Sequence, residues 1–300
     1  MKAVKRLLFV LVILLGVVAL VTYLLYGTNV AILNPKGIIA QKELNLLILA
    51  SAISLVVVIP VFVLLFGILW RYRADNTKAK YSPDLDSNDA AEATYWAIPI
   101  VLIIILANIT WISTHELDPY RPLVSDKRPL TVQVVALNWK WLFIYPEQQI
   151  ATVNYLRIPT NTPINFEITS DAPMNSFWIP QLGGQIYAMP GMSSQLHLNA
   201  TITGTFRGSS ANISGSGFAG MVFNTQATTQ EDFDSWVREA KASPNSLTLG
   251  VYDELTKPSS YNSVTLYSSK TPNLYAKVVM KYMAPTAQMG NMLGYGMTHE

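Results

Sequence analysis

Two long apolar runs without a charged residue constrain this chain more than any other feature of its sequence. They cover about residues 46–70 and 96–113, and each is long enough to cross a hydrocarbon core of roughly 30 Å as a helix. Only 13% of the residues are charged, whereas ordinary globular domains carry about 25%. A buried hairpin of a soluble protein would not need runs of this length. The sequence therefore predicts two transmembrane helices.

Positive charge beside a transmembrane span marks its cytoplasmic end. The cations that follow the first run are Arg71, Arg73, Lys78 and Lys80. Residues 28–114 are thus predicted to form a transmembrane hairpin whose cytoplasmic loop is 71–92. Everything after Thr114 is then expected on the opposite, exported side.

The N-terminus carries a further membrane signal. Lys2, Lys5 and Arg6 precede an apolar run that reaches about residue 25, as in a secretory signal peptide. The run is long for a signal, and no clear cleavage motif follows it. Residues 1–27 are interpreted as a signal-like segment or as a third, N-terminal anchor, and both alternatives stay open.

Short stretches of alternating apolar and polar residues follow Arg128. Such alternation predicts half-buried strands, and short strands separated by Pro, Gly and Asn are typical of a β-sandwich or barrel. The predicted strands cover residues 130–136, 141–145, 151–158, 164–169, 195–200 and 204–209. We expect one all-β domain over residues 115–227, with its last strand ending near Phe223.

The chain after this domain is predicted to be helical. A T-x-x-E capping box begins at Thr228, and apolar residues at helical intervals predict a helix over 229–242. A second helix is predicted over 274–283. Residues 228–283 are assigned to a helical extension, and residues 284–300, which lack periodicity, to a disordered tail.

The composition excludes several chemistries. The chain has no cysteine and three histidines, so disulfides, thiolate metal sites and cysteine nucleophiles are excluded. A net charge of +2 does not suggest the basic face that nucleic acid requires. His197 stands alone in a strand-like segment and is interpreted as a sheet-surface histidine. No residue of this chain is predicted to be catalytic, and no metal site is predicted.

Four motifs indicate a family. They are MNSFWIP at residues 174–180, QLGGQIYAMPGM at 181–192, SANISGSGFAGM at 210–221 and NWKWLFIYPE at 138–147. The chain resembles subunit II of the heme–copper terminal oxidases over about residues 33–283, most closely the branch of bo-type ubiquinol oxidases. The resemblance implies a membrane-anchored α+β fold: two transmembrane helices and a periplasmic cupredoxin-like β-sandwich with a C-terminal helical extension.

In copper-bearing members of that family this domain holds a binuclear copper A centre, and the resemblance places the ligand positions on this chain. Those positions are Asn175, Ser210, Asn212, Ser214, Phe218 and Met221. Bridging two copper ions requires soft thiolates, which serine hydroxyls cannot replace, and a phenyl ring has no lone pair. The copper site is therefore expected to be degenerate, and the domain is expected to bind no metal.

The function that the resemblance implies is that of a non-redox subunit II of a proton-pumping ubiquinol oxidase, an enzyme that reduces oxygen to water in the aerobic respiratory chain. Hemes and copper are expected in the large subunit I, where ubiquinol donates electrons, and no cofactor is expected in this chain. The other expected partners are the small membrane subunits III and IV and membrane lipid, but not nucleic acid. The expected location is the bacterial inner membrane, with the C-terminal domain in the periplasm.

Three residues are candidates for roles toward the large subunit. In the family, a glutamate at the place of Glu92 is implicated at the cytoplasmic mouth of a proton channel in that subunit. Asp89 and Glu92 also have the spacing of a capping box, and the two roles are compatible. In copper-bearing relatives, the aromatic residues at the places of Trp139 and Trp141 lie on the path by which electrons enter. Here they are interpreted as partner-facing aromatics that bury area at a subunit seam.

Two other functions remain to be distinguished. One is a free-standing, membrane-tethered binding module of the periplasm, which would purify without a heme-bearing partner. The other is a cytochrome c oxidase subunit with an unusual copper site, which the missing thiolates oppose.

Bo-type relatives often carry a lipid-bearing cysteine near the position of Thr28, and a chain without cysteine cannot carry that thioether lipid.

Overall fold

The computed structural model describes residues 30–79, 87–269 and 271–283, together with residues 16, 19, 20, 22 and 23. Most of the predicted N-terminal segment 1–27 and all of the tail 284–300 lie outside these residues, so both assignments stay predictions. Thr28 and part of the 71–92 loop also lie outside them.

Two long helices form the predicted hairpin. Helix α1 spans Ile38–Arg71 and helix α2 spans Asp89–Glu116, and both are long and apolar enough to cross a membrane. The most apolar part of each helix is not buried inside the chain, as expected for surfaces that face lipid or other helices. Pro60 lies inside α1 without ending it. Both helices exceed the predicted spans, because polar residues at their ends remain helical beyond the apolar stretch.

The N-terminus of α1 is attached directly to the β-domain that follows the hairpin. The amide of Ile38 donates to Oδ1 of Asn199 at 3.0 Å, and the amide of Ala40 donates to the carbonyl of Leu182 at 3.2 Å. These bonds satisfy N–H groups that the start of a helix leaves without intrahelical partners. A Cβ on the preceding Gly37 would lie 2.4 Å from the carbonyl oxygen of Asn199, so only glycine allows this close approach.

The domain that follows the hairpin is a β-sandwich, as predicted. Its strands are β1 (Leu130–Leu137), β2 (Lys140–Tyr145), β3 (Ile150–Val153), β4 (Tyr155–Pro159), β5 (Ile164–Ser170), β6 (Asn175–Trp178), β7 (Ile186–Ala188), β8 (Ser194–Leu198), β9 (Gly204–Ser210), β10 (Val222–Thr228), β11 (Ser246–Leu247) and β12 (Thr265–Ser269). The larger sheet has the order β11-β12-β3-β2-β1-β5-β8, and the smaller sheet has the order β4-β10-β9-β6-β7.

Two predicted strand boundaries are wrong. The segment 151–158 is not one strand, because it breaks at Asn154, whose φ of 54° is left-handed. The side chain of Asn154 accepts a hydrogen bond from the amide of Trp141 at 2.9 Å and so holds a corner at which the chain passes from the larger sheet to the smaller one. The sandwich also continues past Phe223 to Thr228, because β10 pairs with both β9 and β4.

The C-terminal extension contains three helices and two strands. The helices are α3 (Gln230–Lys241), α4 (Leu249–Thr256) and α5 (Leu274–Lys281). Helices α3 and α5 match the predictions, whereas α4 and the strands β11 and β12 were not predicted. The capping box predicted from Thr228 is wrong by one residue: Thr229 caps α3 by accepting from the amide of Asp232 at 3.2 Å, since Thr228 still belongs to β10.

The extension encloses the sandwich on two sides. Phe233 and Trp236 of α3 join the main core between the sheets, where the ring of Trp236 lies 5.5 Å from that of Tyr145. Tyr252 of α4 and Tyr275 of α5 pack with a second apolar cluster on the outer face of the larger sheet. Strand β1 is consequently buried on both faces over its second half.

Candidate functional site

The positions predicted to be former copper ligands gather at one end of the sandwich. Asn175 opens β6 and Ser210 closes β9, and these strands are antiparallel neighbours. The 3-10 turn Phe218–Gly220 follows, and Met221 leads into β10. The amide of Ser210 donates to the carbonyl of Met221 at 3.1 Å. The fold therefore brings this part of the predicted set together.

A buried hydrogen bond joins Asn175 and Ser210. The Ser210 hydroxyl donates to Oδ1 of Asn175 at 3.1 Å and accepts from the amide of Ser176 at 3.4 Å. The amide group of Asn175 donates to the carbonyl of Pro173 at 2.7 Å. Asn175 is 1% exposed and Ser210 is 5% exposed. Both polar side chains are thus satisfied within the protein, as buried polar groups generally are.

The remaining positions continue this packed end. The side-chain amide of Asn212 donates to the carbonyl of Met174 at 2.8 Å. Met221 is fully buried, and its amide donates to the carbonyl of Phe218 at 3.0 Å. The hydroxyl of Ser214 is buried and makes no hydrogen bond with another described residue. In this group the side chain of Asn212 bonds to the backbone, and that of Met221 packs in the core.

This set of side chains does not fit a binuclear copper centre. It offers hydroxyls, amides, a phenyl ring and one thioether, but no thiolate and no imidazole, and copper pairs of this kind require soft thiolates. Within the part of the chain that the structure describes, no group of three or more His, Cys, Asp or Glu side chains is placed to hold a metal ion.

Trp139 covers the same end of the sandwich. It lies in the turn between β1 and β2 with a φ of 62°, and its Nε1 donates to the carbonyl of Ser214 at 3.0 Å. Its ring rests on Gly217, where a Cβ would lie 2.3 Å from Cδ2 of the indole. Trp139 is only partly buried, so its role toward a partner stays a prediction.

Trp141 is not a partner-facing residue, and that prediction is wrong. Its side chain is fully buried. Its ring meets Phe177 edge to face at 5.4 Å and Phe223 at 5.8 Å between centroids. Successive side chains of a strand point to opposite faces, and Trp141 of β2 points between the two sheets. It is therefore a core residue.

The interpretation of His197 as a sheet-surface residue is also wrong. The side chain is 8% exposed, and its Nδ1 lies 2.9 Å from the carbonyl oxygen of Pro119. The segment between α2 and β1 covers this part of β8, which the local sequence of β8 does not indicate. His197 thus joins the segment that follows the hairpin to the sandwich.

Glu92 lies in the first turn of α2 and is exposed. The helix is capped by Asn88, whose Oδ1 accepts from the amide of Ala91 at 3.0 Å. The capping box predicted from Asp89 and Glu92 is therefore wrong, since Asp89 is already helical. The carboxylate of Glu92 makes no hydrogen bond or ion pair with another residue that the structure describes.

A buried carboxylate that the sequence analysis did not single out lies beside this site. Asp171 precedes Asn175 by four residues in the loop between β5 and β6. It accepts hydrogen bonds from the hydroxyl of Tyr252 at 2.7 Å, from Nζ of Lys281 at 2.7 Å and from the hydroxyl of Tyr282 at 2.6 Å. These donors lie far along the chain, so no local spacing could have indicated the cluster.

The surroundings of Asp171 shift the pKa values of its partners. The pKa of Lys281 is raised above its ordinary value, chiefly by the hydrogen bond to Asp171. The pKa values of Tyr252 and Tyr282 are raised chiefly by burial, and the hydrogen bond to the carboxylate adds to both shifts. All three donors therefore hold their protons more tightly than usual.

Two family models match the chain. "Cytochrome C oxidase subunit II, periplasmic domain" matches residues 145–228, and "COX Aromatic Rich Motif" matches residues 241–286. The first range contains the positions predicted to be former copper ligands. The second contains Tyr252 and Tyr275, which pack on the outer face of the larger sheet, and Tyr282, which with Tyr252 donates to Asp171.

Curated relatives extend the likeness beyond that domain. The chain is 54% identical to cytochrome bo(3) ubiquinol oxidase subunit 2 of Pseudomonas putida, over 86% of this chain and 82% of that protein. It is 52% identical to the protein of the same name from Pseudomonas aeruginosa, over 86% and 78%. It is 46% identical to ubiquinol oxidase subunit 2 of Acetobacter aceti, over 86% and 85%. A match over 86% of the chain takes in more than the β-domain alone.

Proposed function

The chain belongs to the ubiquinol oxidase subunit 2 family, and on that premise we propose that it is the subunit of a proton-pumping ubiquinol oxidase that carries no redox centre itself. The observation that carries this proposal is the buried pair of Asn175 and Ser210, whose polar groups bond to each other and to the backbone. Neither residue is able to bridge copper ions.

The missing copper ligands support ubiquinol, rather than a soluble cytochrome, as the electron donor. A subunit without copper cannot pass electrons from a soluble cytochrome to the oxygen-reducing centre. Ubiquinol therefore donates to the large subunit I, where hemes and copper carry the electrons to oxygen, which is reduced to water. This chain docks on subunit I beside the small membrane subunits III and IV, and its role is structural and in assembly.

The placement in the membrane follows the charge pattern. Helices α1 and α2 cross the bacterial inner membrane, and the loop of 71–92 faces the cytoplasm because it begins with Arg71 and Arg73. The exported domain then stands in the periplasm. The hydrogen bonds between the start of α1 and Leu182 and Asn199 support this arrangement, since they hold the sandwich at the outer end of the hairpin.

The decisive experiment is a heme and metal inventory of the complex purified through a tag on this chain in mild detergent. We expect hemes and copper in amounts that the large subunit accounts for, together with oxygen uptake driven by ubiquinol. Purification without a heme-bearing partner would contradict the proposal and favour a free-standing binding module.

A copper titration of the full-length chain separated from its partners tests the lost site. We expect no thiolate–copper absorption from the natural sequence. The matched positive control carries Asn175→His, Ser210→Cys, Ser214→Cys and Phe218→His, which restore the ligand types at those positions. A purple binuclear copper spectrum from the unaltered chain would overturn the proposal.

We further propose that protons enter the large subunit at Glu92. Its exposed carboxylate at the start of α2 supports this role, because it is not committed to a bond with another described residue. We expect Glu92→Gln to lower ubiquinol-driven oxygen uptake, because an amide cannot take up and release a proton at neutral pH as a carboxylate does. Asp89→Asn, three residues earlier in the same turn, is the control and should leave uptake unchanged. Equal rates in both variants would contradict the proposal.

A further inference from the structure

A cavity of about 470 Å³ lies where α1 meets the sandwich. Its lining includes Glu43 of α1, Trp178 at the end of β6, Gly184 and Gln185 before β7, and Ala211 after β9. Ala211 directly follows Ser210, so the cavity reaches from the hairpin to the packed end of the sandwich. It is open to the surface.

Glu43 supplies the only charged side chain among the described residues that line this cavity. Its Oε1 accepts a hydrogen bond from the amide of Gly184 at 2.9 Å. A Cβ on Gly184 would lie 2.8 Å from that oxygen, so glycine at this position lets the carboxylate reach the backbone. Residues of both α1 and the sandwich therefore fix the position of the carboxylate.

No cation in the described part of the chain compensates this charge. Lys42, the neighbouring lysine on α1, pairs instead with Glu116 at the end of α2. Glu43 is itself half-buried. A carboxylate has about four acceptor sites, and the amide of Gly184 fills one of them. Water can occupy the remaining acceptor sites while the cavity is open, but a partner packed over the cavity would remove that water.

The lining favours an occupant that brings its own positive charge. Ile32, Trp178, Pro180 and Ala211 contribute apolar surface to the cavity wall, which solvates an ion poorly. Burying an unpaired carboxylate under a second protein would be strongly unfavourable, whereas burying it with a cation is tolerated. Charge complementarity therefore favours a lysine or arginine from a protein that covers the mouth.

We propose that the cavity receives a lysine or arginine side chain of the large partner subunit and that Glu43 is its counter-ion. The inference rests on the proposed function, which supplies that partner. The cavity is continuous with the hairpin through α1, so a subunit that packs along the outer end of α1 reaches its mouth. Glu43 is thus a residue that holds the assembly together and takes no part in the oxidase chemistry.

The test measures how fast the heme-bearing subunit leaves the complex. The complex is immobilised through a tag on this chain and washed in detergent at rising salt. Glu43→Gln keeps the size of the side chain and can still accept from Gly184, but it removes the charge. We expect the subunit to be lost roughly tenfold faster than from the unaltered complex. Glu43→Asp keeps the charge and should stay closer to the unaltered complex.

Glu231→Gln, on the exposed first turn of α3, is the control and should not change the rate. Equal rates for Glu43→Gln and the unaltered complex would overturn the inference. The inference would also be overturned if Glu43→Gln and Glu43→Asp released the heme-bearing subunit equally fast and lowered the melting temperature of the separated chains equally. The effect would then lie in folding. An unaltered chain that never retains a heme-bearing partner contradicts the proposed function instead.

Discussion

The Nζ atom of Lys281 lies 2.7 Å from Oδ1 of Asp171 and ties the last turn of α5 to the loop that leads into Asn175. The side chain of Asp171 is 1% exposed, whereas that of Lys281 is 55% exposed. A buried carboxylate is stable only when donors surround it, and here Tyr252 and Tyr282 complete the set. The extension and the loop that leads into Asn175 therefore share one anchor.

Replacing Asp171 with Asn should loosen the extension. The substitution removes the charge that three donors share, and we expect a loss of about 2–3 kcal/mol in the free energy of unfolding. Denaturant unfolding of the full chain in detergent, followed by tryptophan fluorescence, measures this loss. Glu254→Gln is the control, since it breaks only an exposed ion pair with Lys257 and should cost less than about 1 kcal/mol. Equal losses would contradict the role of Asp171.

The same cluster should make the attachment of the extension sensitive to alkaline pH. The folded pKa of Lys281 is raised, chiefly by the hydrogen bond to Asp171, so this pairing stabilises the fold fully below the ordinary lysine pKa of about 10.4. That stability is lost as the pH rises through the raised value. The raised pKa values of Tyr252 and Tyr282 act in the same direction.

Limited proteolysis of the extension at a series of pH values checks this expectation. The rate of cleavage, corrected for the activity of the protease, should stay constant up to about pH 9 and rise above about pH 10. In Lys281→Met the cleavage should be faster at neutral pH, with a smaller alkaline rise. A rise of the same size in this variant would show that Lys281 does not contribute.

Lys140 should be required for the end of α4. It is 2% exposed, and its Nζ donates to the carbonyls of Leu255 and Lys257, each at 2.8 Å. Lys140→Met would leave both carbonyls without this donor, and we expect a loss of about 1–3 kcal/mol. Thermal unfolding of the chain measures it. Lys277→Met, at an exposed position of α5, is the control and should change the free energy of unfolding by no more than about 0.5 kcal/mol. A loss there as large as in Lys140→Met would refute the role of Lys140.

Gly217 should not accept a larger residue while Trp139 is present. A Cβ in Gly217→Ala would lie 2.3 Å from the indole, so the ring must move, at a cost of about 1–3 kcal/mol. A change in tryptophan fluorescence should accompany the loss. Repeating the substitution in a Trp139→Ala background supplies the control, because the loss should nearly vanish there. A loss of equal size would show that the contact with Trp139 is not its cause.

The parts of the fold that depend on local pattern were predicted well. The helices α1 and α2 follow from charge-free runs, since burying a charge in lipid is costly over any such length. Strands β1, β5 and β9 follow from alternation. Helix α3 follows from an apolar stripe that places Phe233 and Trp236 on one face.

The errors concern residues whose surroundings come from distant segments. Trp141 was predicted to face a partner, but β2 turns it between the sheets. His197 was predicted on a surface that the segment around Pro119 covers. The break at Asn154 depends on a bond to Trp141 of another strand. None of these contacts has a signature in the local sequence.

What the sequence by itself determined is the hairpin, the β-domain and the chemical identity of the positions predicted to be former copper ligands, because charge, periodicity and side-chain chemistry are local properties. Only the tertiary structure decided that Asn175 and Ser210 bond to each other, that Asp171 gathers Lys281 and two tyrosines, and that Glu43 sits on Gly184. Each of these contacts joins residues far apart in the chain, and such pairs are chosen by the packing of whole elements. Two of the positions predicted to have lost copper, Asn175 and Ser210, therefore have a structural role: their side chains are buried and bonded to each other at the packed end of the sandwich.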